Sequence, residues 1–169
     1  SRGLGDVYKR QIYRKAGSGM LDIIIRNGRV LDGTGNPGYI ADIAVEDDKI
    51  VEVGHLGEVQ AAYSIDALGK IVCPGFIDAH SHTDTTIMAN PTAESTIRQG
   101  ITTEIVGNCG NSAAPITKAA RSQGAGGFGS FSADDDQEYT FSKFLEAVRK
   151  MGTSNNLAWL VGHNSVRRV

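Results

Sequence analysis

The chain has 169 residues, 40% of them hydrophobic and 21% charged, with a formal net charge of -2. That balance offers no basic patch or stripe for nucleic acid, and no run approaches the ~18 consecutive apolar residues of a spanning helix, so neither nucleic acid nor a membrane is an expected partner. Cys73 and Cys109 are the only cysteines, too few for a disulfide framework, and no secretory signal is legible, so the expected compartment is reducing and cytoplasmic.

Residues 1–19 carry Arg2, Lys9, Arg10, Arg14 and Lys15 but no apolar core after them and no helix or strand period. SRGLGDVYKRQ reads as adapter-derived sequence and Met20 as the natural start, so residues 1–19 are set aside as a non-native or disordered leader. Residues 20–70 read as a small β part. LDIIIRNGRVLD places β-branched residues on both sides of Asn27-Gly28, a two-residue hairpin signal, and residues 40–46 and 49–53 repeat the design around Asp47-Asp48. Two hairpins predict a small antiparallel sheet that needs a second layer over its apolar face. His55, after the last of these strands, reads as a surface residue.

Residues 71–84 read IVCPGFIDAHSHTD, an apolar run broken at Pro74-Gly75 and ending in Asp78, His80, His82 and Asp84. On a strand the side-chain period is two, so these four share one face while Ile77, Ala79 and Ser81 take the other. Two imidazoles on one face suit a divalent metal, with a carboxylate to orient a ring; the bland alternative is a pair of hydrogen-bonded strand-end histidines. Cys73, inside the apolar run, is expected in the core.

Residues 91–99 form a helix candidate with Pro91 near its start and Gly100 as its stop. Residues 101–106, β-branched and bounded by glycine, fit a buried parallel strand. Cys109 follows that strand between glycines, where it is either a small buried hydrophobe or a thiolate that a metal would bind. Residues 124–129, GAGGFG, match a dinucleotide fingerprint by letter only, because no strand precedes them; they read as a loop, as do Asp134, Asp135 and Asp136. Phe141, Phe144, Leu145, Val148 and Met151 fall on one side of a helix over 141–151 that Gly152 ends. Residues 156–161 then form a third buried strand with Trp159 as core, and His163 just beyond it either lines a pocket or makes a supporting hydrogen bond.

PGFIDAHSHTD resembles the signature at the end of the first barrel strand of the amidohydrolase superfamily, and GITTEIVGNCG with LVGHNSVR is similar to its N-acyl-D-amino-acid deacylase (D-aminoacylase) branch. The resemblance covers residues 20–169. It implies an α/β fold in which residues 71–169 supply the first three β/α units of a metal-dependent (β/α)8 TIM barrel, and residues 20–70 part of a composite β-sandwich. It also implies Zn²⁺ as cofactor, held by His80, His82 and Cys109, one ion tightly bound with a second, weaker site as an alternative.

Asp78, Asn108 and His163 are then expected to contact substrate or support the ligands. The implied activity is hydrolysis of the linear amide of a small N-acyl amino acid, with further histidines and the acid-base residue on strands beyond Val169, so the chain reads as an N-terminal fragment inactive by itself. A cyclic-amide hydrolase of the dihydroorotase or hydantoinase kind and a non-catalytic zinc-binding module are the alternatives. Cys109 argues against the first.

Overall fold

The structure, a computed structural model, describes residues 20–122 and 138–169. The leader, the GAGGFG stretch and the three consecutive aspartates lie outside the described residues. The chain divides into two compact units, with the boundary between Pro74 and Gly75.

The first unit is a sheet of β1 (Leu21–Val30), β2 (Tyr39–Glu46), β3 (Lys49–Gly54), β4 (Ala61–Asp66) and β5 (Ile71–Val72), ordered β3-β2-β1-β4 with β5 also paired to β1. The β2–β3 hairpin forms at Asp47-Asp48 as expected, but the Asn27-Gly28 hairpin does not. Instead β1 runs straight through that step with a register shift between Ile25 and Gly28.

Asn27 takes the positive φ (59°) that the sequence signalled, and a bulge uses that conformation as readily as a turn does. Its amide donates to Asp42 Oδ1 at 2.9 Å, and a Cβ at Gly28 would collide with the Val72 side chain, so both residues serve packing inside the sheet. Reversal comes later, where Asp32 Oδ1 accepts the amide (3.0 Å) and hydroxyl (2.7 Å) of Thr34, bonds that hold the Asp32 carboxyl below its usual range.

The sheet is also mixed rather than antiparallel. β4 and β5 both run parallel to β1, and β4 carried no sequence expectation at all. Registers align two apolar rows on one face, Ile50-Val45-Ile23-Tyr63 and Val53-Ile43-Ile25-Ile65. Ile50, Val53, Tyr63 and Ile65 at the ends of these rows are exposed, Tyr63 by 72%.

The second unit begins with β6 (Phe76–Asp78), and the apolar run is therefore two short strands serving two sheets. After a 3-10 turn (Thr83–Thr85) come α1 (Glu94–Ile97), β7 (Ile101–Val106), α2 (Lys118–Ser122), α3 (Phe141–Met151), β8 (Asn156–Trp159) and α4 (His163–Arg167). β6, β7 and β8 pair in parallel in that order. α1 is shorter than its sequence window because the chain enters it through Ala93 in a left-handed conformation (φ 43°), leaving Pro91 outside.

α3 matches its expected bounds. The Thr140 hydroxyl accepts the Lys143 amide at 3.3 Å, and Gly152 at φ 79° lets the chain leave. Its apolar side delivers Phe144 and Val148 to a core of Ile87, Ala113, Ala114, Ile116 and Tyr139, with Leu157 and Trp159 of β8 packed against it. The Phe144 ring is fully buried and meets Trp159 (5.6 Å between centroids) and Tyr139 (6.0 Å) edge-on. Phe144→Ala should therefore cost about 3–5 kcal/mol of stability, read as a lower denaturant midpoint with an unchanged slope.

Candidate metal centre

β6 stops at Asp78, which pairs with Glu104 of β7. There Asp78 Oδ1 accepts the His80 amide at 3.0 Å, turning the chain out of the strand. The alternating arrangement therefore does not hold past Asp78. His80 and His82 sit on an exposed turn, while Asp84 lies in the 3-10 turn with no exposed surface. The two imidazoles nevertheless stay together, with centroids 5.5 Å apart and planes at 64°.

Ser81, between them, points the other way and is buried. Its amide donates to Ile105 O (3.0 Å), its hydroxyl to Glu104 Oε2 (3.4 Å), and its carbonyl accepts Asn108 Nδ2 (3.1 Å). Ser81 thus ties the histidine turn to β7.

β7 leads into Gly107-Asn108-Cys109-Gly110, where Gly107 (φ 83°), Cys109 (φ 54°) and Gly110 (φ 75°) are all left-handed. Glycine is required at Gly107 because a Cβ there would overlap the Leu160 carbonyl, in addition to the positive φ. Asn108 Nδ2 also donates to Ile105 O at 2.7 Å, closing the loop on its own strand.

The far side of the loop is fastened to α4. Asn164 N donates to Gly110 O (2.8 Å), Ser112 N to Ser165 Oγ (2.9 Å), Ser165 Oγ to Ser112 O (3.0 Å), and Gly162 N to Ser112 Oγ (2.9 Å). Backbone strain at Cys109 costs of order 1–3 kcal/mol and persists because these bonds hold both sides of the loop.

The result is that His80 Nε2 lies 3.1 Å from Cys109 Sγ, and one donor atom each from His80, His82 and Cys109 falls within 4.8 Å of the others. Two imidazole nitrogens and one sulfur is a donor set that Zn²⁺ accepts, and ligand atoms sharing a tetrahedral Zn²⁺ lie roughly 3.5 Å apart, so the residues present fit that ion. His163 opens α4 as an exposed residue, and neither it nor Asp78 belongs to this donor group. Cys73, expected in the core, is exposed: it sits between β5 and β6, where the run passes from one sheet to the other.

Sequence reasoning assigned no part to Ser81, Glu104, Ser112 or Ser165, since nothing local marks a serine or a strand glutamate as bonding to a partner 23 to 53 residues away. Asp84 was visible as the fourth polar residue of its run, but not its burial. Burial pushes the Asp84 carboxyl up, while the amides of Ala113 and Gly107 and the nearby His82 ring pull it back.

The profile of a known family, described as an amidohydrolase family, matches residues 64–164. The chain belongs to the amidohydrolase family. Among amidohydrolase relatives, the chain is 34% identical over 149 residues to a D-aminoacylase of Alcaligenes xylosoxydans xylosoxydans, covering 86% of this chain and 30% of the relative. It is 39% identical over 148 residues to an N-acyl-D-glutamate deacylase of the same organism, covering 87% and 30%.

The crystal structure of an N-acyl-D-glutamate deacylase from Bordetella bronchiseptica, in complex with zinc and a phosphonate inhibitor, superposes with a TM-score of 0.74 at 39% identity, covering 88% of this chain and 31% of that one. A D-aminoacylase structure described by its binuclear metal centre superposes at 0.76 with 36% identity, covering 88% and 31%. This amidohydrolase chain thus spans about three tenths of the relatives it matches.

Proposed function

We propose that this chain is the N-terminal part of a zinc-dependent hydrolase that cleaves the linear amide of N-acyl-D-amino acids to a carboxylate and a D-amino acid. The observation that carries the reading is the His80, His82 and Cys109 donor group on loops at the C-terminal ends of parallel strands, in a chain similar over most of its length to deacylases of that kind. In this reading β6, β7 and β8 are the first three strands of a (β/α)8 barrel, whose sites are built at that end. The apolar face of the first unit is the inner face of a β-sandwich completed by further strands.

His80 and His82 present neutral nitrogens and Cys109 a thiolate to the ion. When bound, zinc supplies Lewis acidity toward the amide carbonyl and activation of water near neutral pH. Asp78 fixes the His80 backbone, Asn108 fixes the entry of the Cys109 loop against Ser81, and His163 stands at the tip of β8 to contact substrate or support the pocket. The groups that transfer protons and bind the substrate carboxylate are assigned to barrel strands outside this chain, so residues 20–169 alone are expected to be inactive. Cytoplasmic location follows the same proposal; among the described residues no helix is long and apolar enough to cross a membrane.

Zinc content of the purified full-length protein, together with amino-acid release from matched N-acetyl-D- and N-acetyl-L-amino acids, tests this directly. Near-stoichiometric zinc with release from the D series is the expected result; a metal-free active protein, or release from neither series, overturns it. His80→Asn and His82→Asn should each lower activity by at least about 100-fold, the upper end of what removing a supporting contact alone costs, with an unchanged far-ultraviolet circular dichroism spectrum.

A further inference from the structure

Two segments must be held in fixed relation for the three donors to converge: the turn that carries His80 and His82, and the loop that carries Cys109. Ser81 and Asn108 tie the turn to the loop's entry. α4 grips the exit through Ser112 and Ser165, but that contact leaves the histidines out.

The exit meets the histidine segment at Asp84, two residues beyond His82. Its side chain is wholly buried and its Oδ2 accepts the Ala113 amide at 2.8 Å. Ala113 lies four residues after Cys109, so this carboxylate joins the exit of the cysteine loop to the histidine segment.

A buried carboxylate is costly unless its oxygens are satisfied, and the Ala113 amide offsets part of that cost here. The residue type follows from the task. Both oxygens of a carboxylate only accept, whereas an asparagine can turn its own N–H donors toward the Ala113 amide.

Resting on the reading of His80, His82 and Cys109 as metal ligands, we propose that Asp84 is a positioning residue. By holding the Ala113 amide it fixes the exit of the loop that sets the Cys109 sulfur against the two imidazoles, and thereby the affinity and geometry of the metal site. Its role is exerted through Cys109, without contact with the ion.

The test uses the full-length protein, wild type, Asp84→Asn and Asp84→Ser, each stripped of metal and titrated with Zn²⁺ in competition with a chromophoric chelator. The same proteins are then loaded with Co²⁺, whose near-ultraviolet thiolate-to-metal absorption reports the Cys109 bond itself. Expected are near-stoichiometric zinc in the wild type, a zinc affinity about 10–100-fold weaker in the variants, a diminished thiolate band, and unchanged circular dichroism.

Variants with wild-type affinity and a full thiolate band would overturn the positioning role. So would failure of both variants to fold, which would make Asp84 a structural carboxylate only. A wild-type protein that takes up no zinc and shows no thiolate band would instead overturn the metal-site reading beneath it, so the two failures are distinguishable.

Discussion

On the proposed function, Cys109→Ala in the full-length protein should lose bound zinc and deacylase activity together, each by more than about 100-fold, because in that reading the substitution deletes a ligand rather than a contact that orients one. The side chain is exposed and sits on a loop held by backbone bonds and by Asn108, Ser112 and Asp84, none of which involves the sulfur. Folding should therefore survive apart from the left-handed backbone, where alanine fares no better than the cysteine it replaces. Elemental analysis of the variant, beside activity and a thermal melt, separates the outcomes. Full zinc retention would remove Cys109 from the coordination shell, and loss of fold would make its loop a structural element first.

A large loss of stability, comparable to that of Phe144→Ala, should come from Gly107→Ala. Two costs add there: a left-handed φ of 83°, worth about 1–2 kcal/mol for a residue with a Cβ, and overlap of that Cβ with the Leu160 carbonyl oxygen. Leu160 cannot retreat easily, because its own amide donates to Val106 O at 2.9 Å. A total above about 3 kcal/mol is expected, in the range that marks a specific structural conflict. Gly54→Ala is the control, since a Cβ there meets nothing within 4 Å; it should stay within about 0.5 kcal/mol of wild type. Equal denaturant midpoints for the two variants would remove the steric argument.

What the sequence disclosed divides along the range of the interactions involved. α3 was legible because its stripe and its terminal glycine are both local, and β7 because a β-branched run between glycines has few other uses. The convergence of His80, His82 and Cys109 was also visible, through residue chemistry and family resemblance, although the route was wrong. The histidines meet on a turn made by Asp78, where strand alternation had been expected to align them.

Features set by distant partners were not legible. Asn27-Gly28 signals positive φ, yet whether that becomes a hairpin or a bulge depends on Asp42 and Val72. Cys73 looked like core because its neighbours are apolar, but it lies where the chain leaves one sheet for another. The bridging role of Asp84 needs Ala113, 29 positions away, to be seen.

Splitting IVCPGFID between two sheets has a practical consequence for anyone exchanging halves between such proteins. A splice placed ahead of Ile71 would pair β1 with a β5 from the other parent, so the packing of Val72 against Gly28 and the Leu31 amide's bond to the Val72 carbonyl at 2.9 Å would mix parents. Chimaeras joined at Pro74-Gly75 keep each sheet's hydrogen bonds with its own parent, and only those are expected to express as folded hybrids.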